Sequence, residues 1–85
     1  MHTVELLEQA LATARQMGYL VREEWLGTGG GSCVLKGRRC LFVDLAISHR
    51  EQLEQVLAAI SEADEQTLLQ FPANVRNLLD LRKSA

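Results

Sequence analysis

Eighty-five residues make one small domain, near the lower end of what buries a self-sufficient core. With 47% hydrophobic and 24% charged residues the chain is globular rather than disordered, and a net charge of −2 gives it no electrostatic draw towards nucleic acid or an anionic membrane. No apolar run approaches the ~18–20 residues that span a bilayer, and Glu5 and Glu8 stand where a signal peptide would be basic and then apolar, so a cytoplasmic location is expected.

Thr3 is placed to cap a first helix from about Val4 to Met17. Val4, Leu7, Leu11 and Ala14 form one apolar row, and Leu6, Ala10 and Met17 form its neighbour. Gly18 is a natural stop. Residues 19–26 then read as a strand, with Tyr19, Val21 and Trp25 on one face and Leu20, Arg22, Glu24 and Leu26 on the other. A glycine loop over 27–31 leads into a tight hairpin, Ser32 to Lys36 and Arg38 to Asp44, with Gly37 able to supply the positive φ of a two-residue turn. Cys33, Leu35, Cys40 and Phe42 share one face of the hairpin, while Val34, Leu41 and Val43 share the other. Both faces are apolar near the middle, as expected of strands covered on both sides or buried in a dimer.

Ser48 and Glu51 have the spacing of a capping box ahead of a second helix. Leu53, Val56, Leu57 and Ile60 give that helix its apolar stripe, with Arg50, Glu51, Glu54 and Gln55 towards water. Residues 61–65 interrupt the pattern. Thr67 to Phe71 enters Pro72, and because the residue before proline is biased away from the α region this piece is expected to be extended. Pro72 opens a third helix, with Val75, Leu78 and Leu79 inward and Arg82 and Lys83 at its negative end. The expected fold is α+β, in the order α-β-β-β-α-α, with a three-stranded antiparallel meander packed against helices in a single domain spanning residues 1–85.

Few constellations could carry chemistry. The spacing of Cys33, Cys40, His2 and His49 matches no usual zinc pattern, and no cofactor is expected. With Lys36-Gly37 as the turn, Cys33 falls opposite Cys40 as a hydrogen-bonded pair ~5.5 Å apart, within reach of a disulfide. Without a sign of secretion, both are expected reduced and largely buried, packed between sheet and helix beside Leu35 and Phe42. Gly27 to Ser32 half-fits the dinucleotide fingerprint but precedes a strand where that fingerprint needs a helix. A strand-loop-strand glycine loop is similar to the phosphate lid of protein kinases, whose remaining motifs are absent. Glu23 and Glu24 are adjacent on a strand and so cannot converge on one bond.

The span from Gly29 to Ile60, Gly-Gly-Gly-Ser-Cys-Val-Leu-Lys-Gly-Arg-Arg-Cys-Leu-Phe-Val-Asp-Leu-Ala-Ile-Ser and then the capped helix, resembles a group of small bacterial proteins of unknown function, which implies no activity. The hairpin, loop and capped helix are also similar to the start of minimal zinc peptidases, whose helix carries His-Glu-x-x-His. That resemblance puts Ala58 and Ala59 near where the first His and Glu would stand, and implies a protein-binding remnant with its metal ligands gone. The first expected function is therefore a non-enzymatic protein-interaction module that binds a protein partner or itself as a homodimer, with neither nucleic acid nor membrane as partner. The alternative is a small-ligand or phosphate-binding domain, with or without catalysis, on the Gly27–Ser32 loop. Candidate contacts for either are Gly29, Gly30, Gly31, Ser32, Arg38 and Arg39.

Overall fold

The computed structural model describes residues 3–84, with the side chains of Glu65 and residues 82–84 outside that description. The expected roles of His2, Arg82 and Lys83 thus fall outside the described residues. Helix α1 spans Thr3–Gln16 and stops at Gly18, whose φ of +95° suits glycine. Strands β1 (Leu20–Glu24), β2 (Gly31–Leu35) and β3 (Arg38–Asp44) form one sheet, followed by α2 (His49–Ile60), α3 (Glu65–Leu69) and α4 (Ala73–Ser84).

The α+β class stands, but the meander does not. The sheet is mixed, in the order β1-β3-β2, with β1 parallel to β3 and β2 antiparallel to it. The physical reason lies in the relative apolarity of the strands. β3 carries Cys40, Leu41, Phe42 and Val43 in succession, and as the central strand it leaves Leu41 and Val43 at 0% and 2% exposure. Burying each is worth ~1.5–3 kcal/mol. A meander would have put Gly31-Ser-Cys-Val-Leu35 in the centre and left β3 at an edge. To reach its place, the chain leaves β1 and crosses the C-terminal end of β3 through residues 25–30. It then starts β2 on the far side and returns through the hairpin. Lys36 and Gly37 both have positive φ (51° and 77°), the type I′ geometry that matches the twist of the strands it joins.

Side chains alternate across the sheet, so Leu41, Val43 and Arg39 face one side and Arg38, Cys40, Phe42 and Asp44 the other. Helices α1 and α2 pack together on the first side, and α4 packs on α1. Leu7, Leu11, Leu53, Val56 and Ile60 meet Leu41 and Val43 there, with Phe71, Val75 and Leu79 closing the core. Ser48 caps α2 as its spacing predicts: its Oγ accepts from the Glu51 N–H at 3.2 Å and donates to Glu51 Oε1 at 3.0 Å. Gln52 is buried, and its Nε2 donates to the carbonyls of Asp44 and Ile47, both at 3.1 Å, clasping the β3–α2 turn.

Two further expectations are corrected. Thr67 to Leu69 is helical, because Asp64 caps α3 by accepting the Thr67 N–H at 2.8 Å. The backbone N–H and then the hydroxyl of Thr67 hold that carboxyl below its ordinary range. Proline's bias acts on Phe71 alone, which lies outside the helix and is buried. Gln55, expected in water, instead lies against Gly29 and Gly30 with its Oε1 buried.

Candidate functional site

Two short loops, the 25–30 crossing and the 45–48 turn, meet at the C-terminal end of β3, and one carboxylate gathers them. Asp44 is fully buried. Its Oδ1 accepts the N–H groups of Ala46 at 2.8 Å and Leu26 at 3.0 Å, and its Oδ2 accepts that of Gly29 at 2.8 Å. Foremost the Ala46 N–H, working against burial and joined by those of Gly29, Leu26 and Gly27, holds the carboxyl at about 2, below its ordinary 3.8. A carboxylate that accepts several amides is favoured in its charged form. The glycine loop is thus an anion cradle already filled by the protein's own anion. The Leu26 and Gly29 N–H groups are engaged, and a phosphate would have to displace Asp44 to reach them.

Within that crossing, Gly30 is the tightest point. A Cβ there would lie 2.3 Å from the Phe42 carbonyl oxygen, with φ at +70°. Gly30 therefore serves the close approach of one backbone to another that a glycine-rich stretch permits.

The candidate contacts do not form one cluster. Gly29 lies beside the end of β3, roughly 20 Å at strand rise from Arg38 at its start, whereas Ser32 pairs with Leu41, two residues and about 7 Å along the strand from Arg39. Arg39 is engaged as well: its guanidinium sits 4.7 Å from the Tyr19 ring centroid and donates through Nη2 to the Met17 carbonyl. Arg38 is exposed at the hairpin tip. A groove of about 580 Å³ next to Arg39, lined also by Gln16, Glu62, Asp64 and Thr67, gathers no metal-ligating set, and among the described residues no group of three or more His, Cys, Asp or Glu could hold an ion.

The sheet side opposite α1 and α2 carries Leu20, Cys33, Leu35, Cys40 and Phe42. Leu20 and Leu35 are 40% and 51% exposed, and Cys33 is exposed as well. Trp25, expected beside Tyr19, follows the end of β1 and is 77% exposed, while Tyr19 is buried and its hydroxyl donates to the Ala59 carbonyl at 3.4 Å. A shallow cavity of about 360 Å³ between Leu26, Gly30, Ser32, Cys33 and Phe42 opens from the glycine loop onto this side.

The cysteines pair in register as expected, and both are free, but they share the side away from the helices, and only Cys40 is buried. Their place as a matched core pair is corrected on that ground: β2 is an edge strand, and the helix layer lies on the opposite side. Cys33 is therefore expected to react with a maleimide in the native protein at the rate of an open thiol, and Cys40 only on unfolding. Native thiol titration with peptide mapping measures this; one label at Cys33 is expected, and equal labelling or none would contradict the burial described here. Cys40→Ala should cost about 1 kcal/mol, as for a small buried hydrophobe.

Of the two edges, β1 presents Arg22, Glu23 and Glu24, with an Arg22–Glu24 ion pair at 3.0 Å. The β2 edge, Gly31-Ser-Cys-Val-Leu35, carries neither charge nor proline, and Val34 is 65% exposed. The I′ hairpin makes Leu35–Arg38, Cys33–Cys40 and Gly31–Phe42 the hydrogen-bonded pairs, so the N–H and C=O of Ser32 and Val34 point outward along the free edge. Alternation and the hairpin spacing together could have shown this edge from sequence, had β2 been placed outermost.

No described helix is long and apolar enough to cross a membrane. Ala59 is buried in the core and Ala58 lies partly buried on the same helix, so both positions belong to helix packing. Comparison with known proteins finds no matching family model, no matching curated protein and no matching solved structure.

Proposed function

We propose that this chain is a protein-interaction module that receives an extended segment of a partner alongside β2, in antiparallel pairing. One observation carries this: an uncharged, unbroken edge strand whose outward backbone groups meet no strand. Proteins ordinarily blunt such edges with lysine, proline or bulges, because an open edge templates pairing with another chain. Here β1 is defended by charge and β2 is not. Strand addition takes its affinity from main-chain hydrogen bonds and its selectivity from alternate side chains. Ser32 and Val34 offer four such bonds at about 0.5–1.5 kcal/mol each. Apolar burial against Val34, Leu35 and the cavity beside Cys33 supplies the rest.

Small-ligand binding at the glycine loop has weaker support, since Asp44 holds the amides it would use. The strand-addition proposal is tested by selecting extended eight- to ten-residue peptides from a display library and following the backbone amides by NMR. Binding is expected to perturb Ser32 and Val34 most and to be lost in Val34→Pro, which removes an outward N–H from an edge position where proline is tolerated. Binding that leaves those two amides unmoved, or that survives Val34→Pro, would contradict it.

A further inference from the structure

We infer that the strand received at this edge is β2 of a second copy, paired antiparallel about a two-fold axis through Cys33; this rests on the strand-addition proposal and names its partner. Cys33 is the middle residue of β2, with two residues on either side. A two-fold axis there sets Ser32 against Val34 of the second copy and Val34 against its Ser32. These are the two residues whose N–H and C=O face outward, so each forms a hydrogen-bonded pair with the other, and an isologous patch requires this self-matching.

The charges agree with that register. Antiparallel pairing lays the hairpin tip of one copy, with exposed Lys36, beside the glycine-loop end of the other. At that end Gln55 touches Gly29 and Gly30, with the exposed acids Glu54 beside it and Glu51 one turn earlier on α2. Lys36 of each copy is thus laid towards Glu51 and Glu54 of the other, once on each side of the axis. Opposite charges placed so fix register and partner more than they add affinity. The sheet becomes six-stranded, and Cys33, Leu35 and Phe42 of each copy join into one apolar surface.

The axis also places the two Cys33 residues opposite each other as a non-hydrogen-bonded pair, with Cα atoms about 4.5 Å apart, inside the range a disulfide spans. Mild treatment with diamide should therefore join them: two thiols lose two protons and two electrons, and the azo compound is reduced to the hydrazine.

The experiment combines sedimentation velocity between micromolar and several-hundred-micromolar protein with diamide crosslinking and peptide mapping. The wild type is expected to dimerise across that range and to give a Cys33–Cys33 bond between copies. Cys33→Ser should lose the bond but still dimerise. Val34→Pro and, independently, Val34→Lys should weaken association by at least about tenfold, with circular dichroism showing each variant folded. Lys36→Glu or Glu54→Lys alone should weaken association about three- to tenfold in low salt, and the double exchange should restore it. A wild type that stays monomeric throughout, yet still loses peptide binding in Val34→Pro, would overturn the second copy as partner and leave strand addition standing. A dimer indifferent to both Val34 variants and joined by no Cys33–Cys33 bond would place the interface elsewhere and overturn the second copy as the β2 partner.

Discussion

Gly30→Ala is expected to lower unfolding stability by about 2–5 kcal/mol, from roughly 1–2 kcal/mol of left-handed backbone strain and about 1–3 kcal/mol of overpacking. The overpacking arises because the atom a methyl group would meet at 2.3 Å is a main-chain oxygen of the central strand, not the end of a flexible side chain. Relief would require moving β3 away from its own crossing loop, and β3 is held by partners on both edges. Gly27 and Gly37 supply the comparison. Both have positive φ, but neither meets any atom within 4 Å of an added Cβ, so alanine there should cost only the strain, about 1–2 kcal/mol. Urea unfolding of the three variants separates the effects. A domain has only some 5–15 kcal/mol in total, so this loss removes a large share of it. A loss equal to that of Gly27→Ala would contradict the close approach.

Asp44→Ala is expected to be about as damaging as Gly30→Ala, because it strands the N–H groups of Leu26, Gly29 and Ala46 at once. Asp44→Asn keeps an acceptor but loses the charge, and its signature is in the pH dependence. The folded carboxyl titrates at about 2, below its ordinary 3.8. A depressed folded value means that the contribution is fully present above about 4 and is lost as pH falls from there through about 2. Wild type should therefore lose stability over that window. Asp64, whose carboxyl is also lowered, titrates in both proteins, so the difference between wild type and Asp44→Asn isolates Asp44. Denaturant midpoints from pH 6 to pH 2 should differ by a constant amount above about pH 4 and converge as the pH falls towards 2. A constant difference across the range would contradict the role of the charge.

Local signals were legible in the sequence. The Ser48–Glu51 cap, the α2 stripe, the stop at Gly18 and the I′ hairpin each depend on residues a few positions apart, and each holds in the structure. The Cys33–Cys40 register follows from the same short spacing. What the sequence hid depends on distant neighbours. The place of β1 beside β3 turns on which strand is the more apolar, a comparison between elements that alternation within each one does not make. Asp44 takes amides 15 and 18 positions earlier in the chain, so its role as the clasp of the crossing has no local spacing to betray it. An aspartate at a strand end, downstream of a glycine cluster rich in free N–H groups, was the signal available. Asp64 and Thr67 carry an N-cap spacing that outweighs the proline five residues beyond Thr67. The sheet side shared by the cysteines was read correctly by parity, but parity does not say which side the helices cover.

Residue-resolved amide hydrogen exchange, compared between dilute and concentrated protein, tests the central claim most directly. The outward N–H groups of Ser32 and Val34 are expected to exchange freely in dilute solution and at least about tenfold more slowly when concentrated, because they acquire acceptors from a second β2. The amides of Leu20 to Glu24 on the charged edge should keep one rate at both concentrations. Equal fast exchange of Ser32 and Val34 at every concentration, or protection that grows along β1 instead, would contradict the account.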